Sequence, residues 1–268
     1  MVTISDANWL QQAQPPAGHS MGLVPRDYQA HPVGYLGMMA RPFDLPLIPR
    51  TQWQEWLSKQ KAAHAQLSDI RARGMYGKQI PSRDQDGYGY CWAHSSVSAS
   101  LLVRAAQNLP YGDLSAFAVA CIIKNYKNQG GWGSESLEFM AEYGCPTSDT
   151  WPQQSTSRSN DTPEMRAEAA HFKIAQWMDL RPRDIDQFVT CLLLNIPVVS
   201  DFNWWGHSVC SMDLIDVDPN NLPGSLRTLI WNSWGDSWSQ DGAGILEGNK
   251  AIPDGQIAPR VVGASHTW

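Results

Sequence analysis

Four residues of the 268-residue chain have the types and placement to break an acyl bond: Gln85, Cys91, His207 and Asn232. Cys91 stands in RDQDGYGYCWAHSSVSASLLVRA, where a glycine-rich loop meets a helical run. A thiol is a poor nucleophile at its free pKa of about 8.5, and a helix N-terminus lowers that value through unpaired N–H groups and the macrodipole. Gln85 can bring a side-chain amide beside the thiol after a tight glycine turn. With the Cys91 backbone N–H it makes two donors for a tetrahedral oxyanion. A nucleophile also needs a base and a group to orient that base. His207 opens the predicted strand HSVCSMDLIDV, and Asn232 lies in SLRTLIWNSW, predicted as the next strand. Antiparallel pairing brings imidazole and amide together, with one ring nitrogen facing Asn232 and the other facing Cys91. Trp234, read on the same face as Asn232, shields that contact from water.

These side chains come from distant positions, so the elements between must assemble them. Residues 1–50 carry seven prolines and little periodicity, which reads as an extended arm and not a domain. Thr51-Gln52-Trp53-Gln54 fits a capping box, and Trp53, Trp56, Leu57 and Leu67 recur at helical spacing. One helix is predicted there, running to about Arg73 with Gly74 as its stop. Further helices are predicted from Cys91 to about Gln107, within DLSAFAVACIIKNYKN, from about Ser134 to Gly144, and over RPRDIDQFVTCLLLN. After Pro197 the pattern changes to short runs rich in β-branched and aromatic residues: VVSDFNWW, HSVCSMDLIDV, SLRTLIWNSW and AGILEGN. Helices first and strands second predict an α+β fold of two lobes, with a cleft between them as the natural site.

Composition narrows the function classes. A hydrophobic content of 43% with 17% charged residues reads as globular. A net charge of −6 and a pI near 5.6 leave no basic footprint for nucleic acid. No apolar run reaches membrane-spanning length, and MVTISDANWLQQAQPPAGHS has neither the basic start nor the apolar core of a signal peptide. The expectation is a cytoplasmic protein with no membrane partner. Cys91, Cys121, Cys145, Cys191 and Cys210 are dispersed without a CxxC pair, so no metal, cofactor or disulfide scaffold is expected.

Together these blocks resemble the papain family of cysteine peptidases. The family's glutamine, five residues, cysteine, tryptophan and alanine are matched by Gln85, Cys91, Trp92 and Ala93. Its paired glycines are matched by Gly130 and Gly131 in NQGGWGSESLEFMAEYG, and its histidine-led strand by His207-Ser208-Val209. Its Asn-Ser-Trp-Gly block is matched by Asn232, Ser233, Trp234 and Gly235. The resemblance implies a papain-like two-lobed fold over residues 67–268, with a helical left lobe, a β-barrel-like right lobe and residues 1–66 as an N-terminal extension. It implies a Cys91 thiolate, a His207 base and acid, an Asn232 orienter and a Gln85 oxyanion donor. Gly130, Gly131, Trp132 and Trp234 would bind substrate, which would be a protein or peptide.

The chain also departs from the family. Tyr88 and Asn128 stand where the family carries a disulfide, and Cys121, at another usual half-cystine position, lacks a partner at the expected distance. That agrees with an intracellular setting. His94 replaces an aromatic residue, and Gly206 a polar one before the histidine. A second reading stays open: a subunit of a larger assembly, such as a virus particle, contacted through residues 1–66 and with dormant chemistry. The same side chains also permit acyl transfer to an amine. The path of residues 1–66 relative to Cys91 decides whether the arm inhibits, is processed or contacts a partner.

Overall fold

The computed structural model describes residues 1–34, 40–74, 77–109 and 112–262. The arm contributes β1 (Thr3–Ile4), α1 (Trp9–Gln12) and β2 (Ala40–Pro42). A helical region follows: α2 (Trp53–Ala62), α3 (Leu67–Arg73), α4 (Cys91–Ala106), α5 (Ala116–Ile123), α6 (Gly133–Glu142) and α7 (Pro163–Ala169). The rest is β3 (Ile174–Asp179), α8 (Ile185–Leu193), β4 (Val198–Phe202), β5 (His207–Asp216), β6 (Arg227–Trp231), β7 (Ala243–Glu247) and β8 (Gly255–Val262).

The strands form one mixed sheet in the order β1-β7-β6-β5-β4-β8-β3-β2. The inner strands pair antiparallel, while β1 and β2 pair parallel at the two edges. Every residue of β4 and the first eight of β5 are buried. They can be, because helices cover both faces: α4 packs on β5 and β8, and α8 packs on β5 and β4. One apolar core joins α4, α5 and α6 to the sheet, and a second joins α2, α8 and the tryptophans Trp205, Trp234 and Trp238. Helix α4 is buried almost all round, which its small side chains allow. Its serines satisfy themselves on the helix: Ser96 Oγ donates to Trp92 O at 3.1 Å and Ser100 Oγ to Ser96 O at 2.8 Å.

The single helix expected over residues 51–73 is two. A 3₁₀ turn at Arg50–Gln52 leads into α2, His64 takes φ 48°, and the chain restarts at α3. Thr51 caps nothing, and the capping box forms instead between Gln66 and Asp69. The physical cause is long-range. Asp213 on β5 accepts the N–H of Leu67 at 2.8 Å and of Ser68 at 3.2 Å, fixing a helix start that local propensity does not choose. Sequence reasoning also passed over α7, whose start is capped by Thr162 accepting from Met165 N, and over β3 and β8. Pro259 disguises β8, since proline argues against a paired strand.

The arm crosses the whole sheet, from the β7 edge to the β3 edge. Trp205 Nε1 donates to Ala13 O at 2.7 Å, and Trp9 stands edge-on to Trp204 with Lys250 above both rings. Further along, Arg26 forms a buried bidentate pair with Asp179, at 2.9 and 2.8 Å, and donates to the carbonyls of His31 and Pro32. Removing one partner of such a pair strands the other charge without water. Arg26→Ala is therefore expected to lower folding stability by about 3–5 kcal/mol. Denaturant titration checks this, and a loss under about 1 kcal/mol would place the pair at a solvated surface.

Candidate active site

Cys91 is the first residue of α4, with Tyr90 before it as cap. His207 is the first residue of β5. Asn232 lies one residue past the end of β6 and not on the strand as expected, yet the β5–β6 register carries it to the imidazole. His207 Nε2 meets Asn232 Oδ1 at 2.7 Å. Only an amide oxygen faces the ring there, so Nε2 carries the proton and Nδ1 is left as the acceptor. Nδ1 is buried and has no hydrogen-bond partner. Trp234, in the turn beyond β6, stacks on His207 with centroids 4.7 Å apart and planes 25° apart, while Trp205 packs edge-on at 4.9 Å. These rings keep water from the His207–Asn232 contact.

Gln85 is fixed from three sides. Its Nε2 donates to Tyr88 O at 2.7 Å and to Ser20 O at 2.9 Å, its Oε1 accepts from Ser233 Oγ at 2.5 Å, and its backbone N–H donates to Ser233 O. Ser233 thus aims the amide, a role that sequence reasoning missed although the residue sits inside the matched Asn-Ser-Trp-Gly block.

The arm lies directly on these groups. Ser20 O receives Gln85 Nε2 and also Trp234 Nε1, at 3.3 Å. Leu23 bridges Gly131 in the parallel sense, with Val24 N donating to Gly131 O and Gly131 N to Gly22 O at 2.9 and 3.0 Å. On the opposite wall, Gly206 O accepts from Gly22 N and Leu23 N. Gly206 takes φ 64°, a conformation that favours glycine. The contact is backbone on backbone: a Cβ at Gly22 would lie 2.2 Å from Gly89 O, and one at Gly130 would lie 2.5 Å from Gly22 O. Trp132 faces the arm too, its ring 5.3 Å from that of His31.

Under this cover Cys91 is fully buried. Burial pushes its thiol up to about 12, with Asp201 adding to the rise, while the backbone N–H groups of Ser208, Trp92 and Gly22 pull the other way. Burial likewise pushes His207 down to about 4, and the Asn232 hydrogen bond opposes it. The lowered Cys91 value expected from the helix N-terminus is overturned, because desolvation of the anion outweighs the helix end. Thiol and imidazole both rest neutral, and no hydrogen bond joins Sγ to Nδ1. The backbone N–H of Ser208, the residue after His207, lies beside the sulfur. His94 is buried edge-on to Phe117 and packs the helix. All five cysteines are buried free thiols, and among the described residues no cluster of His, Cys, Asp and Glu could hold a metal.

No family model matches the chain. Zingipain-2 of Zingiber officinale is 22% identical over 205 residues, covering 67% of this chain and 87% of the relative. Chymopapain of Carica papaya is 24% identical over 230 residues, covering 78% of this chain and 61% of the relative. Xylellain, a cysteine protease from Xylella fastidiosa, superposes with a TM-score of 0.63 at 14% identity, covering 93% of this chain and 98% of that one. The chain has a papain-like fold. Residues 67–268 make up about three quarters of its length, so the 93% shared with xylellain reaches into the arm.

In this papain-like frame the arm residues 20–24 take the ground between Gly131 and Gly206. Nothing in the sequence before Gly22 marks them, and Gly22 itself is the sole signal, a glycine where two backbones must touch. Gly22→Ala is expected to lift the segment and speed iodoacetamide alkylation of Cys91 at least tenfold, with the thermal midpoint nearly unchanged because the anchors at Trp205 and Asp179 remain. Mass spectrometry of the labelled protein over time checks this; an unchanged rate would mean that the segment does not cover the thiol.

Proposed function

We propose that the protein is a cysteine peptidase whose active site is covered by its own N-terminal arm. When a peptide replaces the arm, His207 Nδ1 takes the Cys91 proton and the thiolate attacks the scissile carbonyl. Gln85 Nε2 and the Cys91 N–H receive the oxyanion, and the imidazolium returns its proton to the leaving amine. Water then attacks the thioester with His207 as base, releasing the acid and restoring the thiol. Asn232 holds the imidazole tautomer throughout, Trp234 keeps that bond dry, and Gly131 offers its N–H and C=O to the peptide backbone.

One observation carries this reading: the Gln85 amide already binds a backbone carbonyl, that of Ser20, two residues before the Gly22 N–H that lies beside the buried Cys91 thiol. The covered state follows from the same contact. The alternative of an assembly subunit drew on an arm that needed something to hold it. That need is met within the chain, by Trp205, Asp179 and both sheet edges. Fluorogenic peptide hydrolysis by the full chain and by Gly22→Ala tests the reading. The variant should be at least tenfold faster, and Cys91→Ala in either background should abolish turnover while leaving the fold intact. Cleavage that survives loss of the thiol would end the assignment.

The burial shifts also set a pH dependence. With the Cys91 value raised to about 12, thiolate is scarce in the covered state at neutral pH, and alkylation of the full chain should climb with pH through pH 9 without a plateau. Uncovering restores water to the anion, so Gly22→Ala should move the same profile to lower pH. The pH–rate profile of alkylation, recorded for both proteins, checks the sign.

A further inference from the structure

Ser95 and Ser208 meet beside the thiol with no role assigned so far. Ser95 lies one turn after Cys91 on α4, and Ser208 follows His207 on β5. Their hydroxyl oxygens are 2.7 Å apart, and both residues are buried. Among the described residues this is the one hydrogen bond between side chains of α4 and β5. Other serines of α4 spend their hydroxyls within the helical region, Ser100 on Ser96 O and Ser96 on Trp92 O and Gly133 O.

Successive residues of a strand face opposite sides of the sheet. His207 turns its ring to Trp205 and Trp234, so Ser208 turns its hydroxyl to α4, and its N–H lies by the Cys91 sulfur. The helix of the thiol and the strand of the imidazole are thus joined one turn from the first and one residue from the second. Apolar packing is non-directional and lets a helix slide on a sheet, whereas a buried O–H···O bond near its preferred length does not. On β4, Asp201 stands opposite Ser208, with Oδ2 accepting from Gly133 N at 3.1 Å and Oδ1 without a partner. Burial pushes its carboxyl up to about 6, a rise that the Ser208 hydroxyl opposes. A carboxylate only accepts, so the Ser208 proton is drawn towards β4 and Ser95 donates to Ser208.

We infer that Ser95 and Ser208 are positioning residues, whose hydroxyl contact holds the Cys91 sulfur on the Ser208 N–H and so fixes the nucleophile against the strand of His207. The inference rests on the peptidase reading for its use, but not for its geometry. Loss of either hydroxyl leaves the other buried without this partner and frees the start of α4 to shift along β5. The Ser208 N–H then draws away from the sulfur, and the thiolate loses one of its donors.

Iodoacetamide labelling of Cys91 at pH 8, where Asp201 is ionised, tests this in the full chain and in Gly22→Ala. Ser208→Ala and Ser95→Ala should each slow labelling about threefold or more in both backgrounds, since a donor to an anion is removed. The double variant should be no more than about twofold slower than either single one, because both remove the same bond. A contact that merely supports packing would act the other way, since loosening exposes the thiol and speeds labelling. Ser208→Thr, which keeps the hydroxyl, should label at nearly the parent rate, while Ser208→Val, alike in shape without it, should be slowed like Ser208→Ala. The Thr and Val pair carries the comparison should thermal melts show that an alanine variant does not fold. Unchanged or faster labelling on loss of either hydroxyl would overturn the inference, as would effects that multiply in the double variant. Alkylation needs no turnover, so these rates judge the contact whether or not peptides are cleaved, whereas failure to cleave any peptide counts against the peptidase reading alone.

Discussion

Two backbones touch only where neither presents a side chain, and here they touch over a sulfur. Gly22 of the arm lies against Gly89 on one side and Gly130 on the other, with no room for a methyl group at either contact. That approach lets Gly22 place its N–H beside Cys91 and its carbonyl on Gly131, and it brings Ser20 O to Gln85. Much else in the arm serves to keep it there. The Ala13–Trp205 hydrogen bond lies on one side of the crossing and the buried Arg26–Asp179 pair on the other, so the segment between is held at both ends. Its own hydrogen bonds, at roughly 0.5–1.5 kcal/mol each, would not secure so short a stretch against the entropy of ordering it.

The same contact decides the electrostatics of the site. A helix end and nearby backbone N–H groups favour a thiolate at Cys91, whereas removal of water disfavours it, and burial wins. His207 is governed by the same balance with the opposite charge. A neutral thiol and a neutral imidazole are the expected resting forms when neither ion can be hydrated. The groups that would stabilise the ion pair are nonetheless present, since Asn232 holds Nε2 and the Ser208 N–H lies by the sulfur. The site is built for charge and kept without it by its cover.

The side chains of the candidate site were legible because they lie in compact local blocks. Cys91 at a helix start, His207 at a strand start and Asn232 beside Trp234 each follow from turn residues and period changes within about ten positions. What escaped was what distant partners impose. Asp213 splits the helix expected over residues 51–73 by binding the amides of Leu67 and Ser68. Strand β8 hides behind Pro259 and forms because β3 and β4 flank it. The arm's course could not be read from its prolines, since it depends on a parallel bridge between Leu23 and Gly131 and on an ion pair spanning 153 positions. Ser233 and Asp201 have no local signature at all. One is known by the amide it aims and the other by the oxygen it leaves unpaired.

Cover and substrate cannot coexist, because they require the same atoms. Gln85 Nε2, Gly131 N and O, and Gly206 O are all engaged by residues 20–24. A free peptide must compete with a segment tethered nearby, and a tether of about ten residues confers an effective concentration in the millimolar range or above. The arm does not need a good fit in every pocket to prevail. An inhibitor built into the chain can thus be strong through its tether even where its individual contacts are weak.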